Sequence, residues 1–133
     1  MPTLSVIAIR AALVHLALGF TFGGLMLSQK GIGWFPAAWR LLPAHVEILL
    51  LGWMAQLAIG VGYWILPRFG GKRGNVKLAW AAVIALNLGV IVTALRPILG
   101  LPPAATAVGR GLSTAAVVAF IVHAWPRVKA PGA

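Results

Sequence analysis

Cysteine is absent from the chain, and acidic residues are almost absent, with Glu47 the only carboxylate among 133 residues. The missing thiols exclude disulfides, thiolate metal sites and cysteine nucleophiles. A proton or cation site at Glu47 would have no acidic partner, and no row of pore-lining polar groups accompanies it, so a channel or transporter is the weakest functional reading. Charged residues make up only 9% of the chain, whereas hydrophobic residues reach 61%. A water-soluble domain of this size would have almost no polar surface at that balance, and the solvent that the sequence implies is lipid. Internal repeats and low-complexity tracts are also missing.

What is present is a set of four apolar stretches, at about residues 4–28, 43–66, 76–95 and 104–125. A hydrocarbon core about 30 Å thick needs roughly 20 apolar residues per helical crossing, and each stretch is of that order. They are apolar on every face, which excludes the alternation of a membrane barrel. The first stretch is too long for a signal peptide and lacks a convincing cleavage site, so it is read as a helix. The expected fold is therefore all-α and a single domain: an integral membrane four-helix bundle, up-down-up-down because the connections are short.

The net charge of +10 would suggest nucleic acid in a soluble protein. Here the cations cluster at stretch ends and connections, so no nucleic-acid partner is expected and the charges set orientation instead. Arg10, Arg68, Lys72, Arg73, Lys77, Arg127 and Lys129 fall on one side, against Lys30, Arg40, Arg96 and Arg110 on the other. Seven against four places both termini in the cytoplasm of a bacterial-type inner membrane. The first connection, residues 29–42, carries Trp34, Phe35 and Trp39 and is expected to lie along the outer headgroup layer. The second, PRFGGKRGN, has the composition of a tight turn, and the third is stiffened by Pro97, Pro102 and Pro103. Small residues at Gly19, Gly23 and Gly24, and at Ala81, Ala85 and Gly89, are expected to mark close helix seams.

The polar inventory within the stretches is His15, Thr21, His45, Glu47, Gln56, Tyr63, Asn87, Thr93, Arg110, Ser113, Thr114 and His123. At about 100° per residue, Gly52, Gln56 and Tyr63 return to within roughly 20° of the direction of His45. That stripe suits a flat cofactor ligated at His45, and it suits equally a polar seam between helices. Glu47 points nearly opposite to His45, in the first turn of the second helix, where the dipole favours negative charge. It is read first as a helix-start and interface residue, with a proton or cation site as the alternative. His15 and His123 lie nearer the cytoplasmic side; their depths differ by roughly 5–8 Å, so joint ligation of one iron needs a tilt or a register shift.

Residues 44–69, AHVEILLLGWMAQLAIGVGYWILPRF, resemble the second transmembrane helix of subunit I in the haem-copper oxidase superfamily, most closely its nitric oxide reductase and cbb3-type branches. The elements that carry the resemblance are His45, Gly52 with Trp53, Gly60, Tyr63 with Trp64, and Leu66 with Pro67. The resemblance implies haem b, with His45 as an axial iron ligand near the outer face, and His15 or His123 less favoured as ligands. Arg40, Arg96 and Arg110, assigned to the same side, would then either hold haem propionates or serve as plain interfacial cations. The departures are large: such a subunit has about twelve helices, and this chain lacks its paired histidines for the second metal. The expected function is a small haem-binding membrane subunit serving electron transfer in a respiratory-type complex, and not an enzyme on its own. Its expected partners are the bilayer and either other membrane subunits or copies of itself. The alternative is a cofactor-free structural subunit of a larger membrane complex.

Overall fold

The computed structural model describes residues 1–129. Helix α1 runs from Thr3 to Ile32 and stops at Gly33, whose φ of +71° suits a residue without a Cβ and lets its N–H cap the Gln29 carbonyl. The chain turns at once, fastened by a hydrogen bond from Trp34 Nε1 to Ser28 Oγ at 3.0 Å and another from the Phe35 amide to the Gln29 side chain. A 3-10 turn over Pro36–Leu41 leads into α2 (Leu42–Glu47), a π-helical stretch (Ile48–Ala55) and α3 (Gln56–Ile65), which together form the second long helix. Asn75 then caps α4 (Val76–Leu99) by accepting from the Leu78 amide at 3.1 Å. Pro103 opens α5 (Pro103–Ala124), and a last 3-10 turn covers Trp125–Arg127.

The first helix therefore extends beyond its predicted end, and most of the expected surface connection is helical. The third helix also runs past its predicted end, through Pro97 to Leu99. A proline so close to a C-terminus disrupts little of the helix that follows, and Gly100 at φ +67° ends it. The four long helices are each long and apolar enough to cross a membrane, and no strand occurs among the described residues. Their outward faces are apolar, with Phe20, Leu27, Leu50, Met54, Ile84 and Val122 largely exposed.

Packing is closest between helices adjacent in sequence, and glycine sets the spacing. Along the seam of α1 with the second long helix, Gly23 faces His45, Gly19 faces Leu49, His15 faces Gly52 and Ala8 faces Gly60. Residue numbers rise on one side as they fall on the other. A Cβ at Gly52 would come within 2.7 Å of His15 Cγ. Between α4 and α5 the approach is tighter still, because a Cβ at Gly109 would meet the Thr93 hydroxyl and stand 2.8 Å from the carbonyl oxygen of Gly89. Where lipid surrounds the helices, such contact and not water exclusion drives association. Buried Ala79, Ala82, Ala94 and Ala116 continue the small-residue pattern inside the bundle, while Gly24 meets nothing within 4 Å.

Gly89→Val or Gly109→Val should push α4 and α5 apart and lower stability by about 1–3 kcal/mol, the usual cost of overpacking. Unfolding in detergent micelles, with Gly111→Val as the control because a Cβ there would meet no neighbouring helix within 4 Å, measures the effect.

Candidate functional site

The second long helix carries His45, Glu47, Gly52, Gln56 and Tyr63 and distributes them over two sides. On the α1 side, His45 Nδ1 lies 2.8 Å from the Gly19 carbonyl. A carbonyl only accepts, so Nδ1 bears the hydrogen, and in the neutral ring Nε2 presents a lone pair. Nε2 has no hydrogen-bond partner among the described residues, and the ring is half-buried against Gly23. Gly52 is occupied by the His15 ring, and Gln56 Nε2 donates to the Ala8 carbonyl at 3.3 Å. His45, Gly52 and Gln56 thus share the predicted face, and α1 covers that face at Gly52 and Gln56. His15 also forms one wall of an apolar cleft of about 150 Å³ with Phe22, Ile48, Val90 and Ala94, its Nδ1 buried without a partner.

The π stretch Ile48–Ala55 lies between His45 and Gln56, and its i→i+5 bonding puts more residues into each turn than an α-helix, yet both side chains meet α1. Tyr63 follows Gln56 by about two turns of regular α-helix, and its ring is stacked on His123 of α5 at a centroid separation of 5.4 Å. His123 Nδ1 donates to the Asn75 carbonyl at 2.9 Å, and its Nε2 accepts from Arg127 Nη1 at 2.9 Å. Arg127 is 1% exposed, the most enclosed cation of the chain. Its Nε donates to the Pro67 carbonyl at 3.1 Å, and Nη2 donates to those of Tyr63 and Leu66 at 3.1 and 2.7 Å. Arg73 Nη1 adds bonds to Tyr63 and Trp64. Two guanidinium groups therefore satisfy the carbonyls that the end of the second long helix leaves open, where the helix dipole favours positive charge. The sequence reading gave Arg127 only a role in orientation. The signal for more was a histidine and an arginine four residues apart, on one helical face next to the chain's end.

On the side away from α1, three cations line a run of cavities that reaches Glu47. Arg40 and Arg96 share a cavity of about 390 Å³ with Trp39 and Pro43. Arg96 and Arg110 line the adjoining one, about 410 Å³, with Glu47, Thr93 and Thr106. Glu47 and Arg110 continue into a third, a trough of about 390 Å³ walled by Leu51, Ser113, Val117 and Val118. Glu47 is 8% exposed, and its Oε1 has no partner; Thr93 Oγ1, Arg96 Nε and Ser113 Oγ are likewise buried without one. Glu47 is the interface residue the sequence suggested, at the end of α2 and not in its first turn. By contrast, Thr21 and Asn87 are satisfied within their own helices, each bonding the carbonyl four residues back.

The histidines do not converge. His45, His15 and His123 occupy three levels of the second long helix, opposite Gly19, Gly52 and Tyr63, and no cluster of three metal-ligating residues occurs among the described residues. His45 fits single axial ligation of an iron, with one nitrogen tied to a carbonyl and the other free. The cofactor stripe beyond it does not fit a flat ring lying against the helix within this chain. Nor do Arg96 and Arg110 reach the side of His45, because the second long helix lies between. Comparisons with protein-family models, curated proteins and solved structures give no match for the chain.

Arg127→Met should leave the Leu66 and Pro67 carbonyls and His123 without their donor, and Tyr63 with Arg73 alone. A loss of about 3 kcal/mol is expected in micellar unfolding, with Arg127→Lys recovering only part of it, because an ammonium cannot reproduce the planar fork.

Proposed function

We propose that the chain is a multi-pass membrane subunit that holds haem b through His45 and serves electron transfer in a respiratory-type complex. The four long helices cross a bacterial-type inner membrane up-down-up-down, with both termini cytoplasmic. The observation that supports this reading is the His45 ring: Gly19 fixes its tautomer and direction, and a free, half-buried Nε2 lone pair remains. Apolar surroundings next to that nitrogen would lower the local dielectric and tune a potential, while the cofactor supplies the redox chemistry. Reduction of a substrate is not assigned to this chain alone.

The second axial ligand comes from outside this chain, from another subunit or the His45 of a second copy. His123 is held by Asn75 and Arg127, and His15 sits opposite Gly52, roughly 10 Å along the helix from His45 at 1.5 Å per residue. The resemblance to haem-copper oxidase subunit I and the placement of His45 at the outer end of the second long helix agree with each other. The arginines are not retained as propionate partners, since they lie on the other side of that helix.

One observation favours a second reading, a cofactor-free structural subunit. The helix α1 already fills the Gly52 gap with His15 and engages Gln56, so that part of the stripe is spent on packing.

An absorption spectrum of the purified protein, supplied with haemin and then reduced, separates the two. A b-type band that disappears in His45→Ala and survives in His15→Ala is expected. A band unaffected by His45→Ala would remove the ligand assignment, and a wild-type protein without any Soret band would establish the structural reading. For orientation, the cysteine-free chain allows single-cysteine labelling. A membrane-impermeant maleimide applied to intact cells should modify Lys30→Cys and leave Lys72→Cys unmodified until the membrane is opened.

A further inference from the structure

We propose that the cleft between the second long helix, α4 and α5 binds an anionic phospholipid, its phosphate at Arg40, Arg96 and Arg110 and one acyl chain along the trough of Leu51, Val117 and Val118. The inference rests on the bilayer placement proposed above and is independent of the haem.

Three features support it. The first is continuity: the cavity at Arg40 and Arg96 shares Pro43, Arg96 and Pro97 with the next, which shares Glu47 and Arg110 with the apolar trough. A polar mouth that passes into an apolar channel matches an amphiphile, not a free ion. The second is charge. Three guanidinium groups meet one carboxylate, and no ion pair within 4 Å joins Glu47 to any of them among the described residues, so the mouth keeps a positive excess. Arginine's planar fork suits phosphate oxygens, and basic pockets between membrane helices attract anionic headgroups. The third is unmet hydrogen-bonding capacity. Arg96 Nε, beside the mouth, is a buried donor without an acceptor, which is costly unless something supplies one, whereas the unpartnered Thr93 and Ser113 hydroxyls face the α4–α5 seam at Gly109 and Gly89. Arg40 and Arg110 are exposed, so the cleft opens sideways to where lipid would be. Trp39, half exposed at the mouth, has the amphipathic ring that lies at headgroup level.

Glu47 sits where the mouth meets the trough. Against an anionic guest it is a repulsive neighbour held off by Arg110, and against a cationic guest it would be the main attraction. Its neutralisation therefore distinguishes the two by sign.

The test is lipid binding to the full chain in neutral detergent, followed by native mass spectrometry, with phosphatidylglycerol and phosphatidylcholine of identical acyl chains as probes. One phosphatidylglycerol per chain, preferred about tenfold over phosphatidylcholine, is expected. The preference should fall to within about twofold in R96Q/R110Q, and E47Q should bind phosphatidylglycerol as tightly as wild type or more so. Equal binding of the two lipids by the wild-type protein would overturn the proposal without reliance on any variant. So would loss of binding in E47Q, or displacement of the lipid by an equal concentration of inorganic phosphate. Alkaline carbonate extraction of cell membranes keeps the two levels apart. Release of the chain would refute its bilayer placement, whereas retention with no lipid preference would refute this inference alone.

Discussion

Buried polar groups must find their partners inside the chain, and Arg127 meets that constraint where the second long helix ends. The second long helix ends at Ile65 and leaves carbonyls with no amide to bond them. One buried guanidinium answers that of Tyr63 and those of Leu66 and Pro67 just beyond the helix and, through His123, reaches Asn75 at the start of α4. The ends of three helices are thereby fastened in a single hydrogen-bonded cluster, with the Tyr63 ring beneath the charge at 5.4 Å. A lysine in that place would offer a point charge and no matching fork.

The opposite end of the bundle is handled differently. There the polar groups around Glu47 are left with unmet hydrogen-bonding capacity, and cavities separate residues that could otherwise have paired. The contrast between a closed cluster around Arg127 and an open one around Arg96 and Arg110 is the main asymmetry of the molecule. Between them, the seam of α1 with the second long helix is built from glycine gaps that receive larger groups: Gly23 receives the His45 ring, Gly19 the Leu49 side chain and Gly52 the His15 ring. The same device that permits close packing fixes the imidazole of His45 toward the Gly19 carbonyl.

Much of this was legible from residue order. Four apolar stretches gave four long helices, because twenty-odd residues apolar on all sides have few other stable arrangements. Gly19, Gly23 and Gly89 were correctly expected at close contacts, since only small residues allow them. Helix ends were less legible: Gly33 and Gly100 stop helices that hydropathy alone ended sooner. The contacts of Tyr63 with His123 and Arg127 were not legible, because spacing along one helix does not say which neighbour packs against it. The His123–Arg127 spacing did not tell which carbonyls the arginine reaches, and the unpartnered Thr93 and Ser113 were not legible, because a charge count and a polar inventory carry no information on which groups the folded chain brings into contact.

The wide turn over Ile48–Ala55 has a consequence for how the two ends of the molecule are related. Upstream, the helix is keyed to α1 through His45; downstream, it is keyed to α1 through Gln56 and to α5 through Tyr63 and the arginine cluster. A segment that accommodates surplus length acts as a clutch between those two keyed halves. Shortening the chain there by a single amino acid would draw the wide turn back toward α-helical bonding with both halves still in place, so this helix tolerates a lost residue within Ile48–Ala55 that the stretches on either side, turning about 100° per residue, would not.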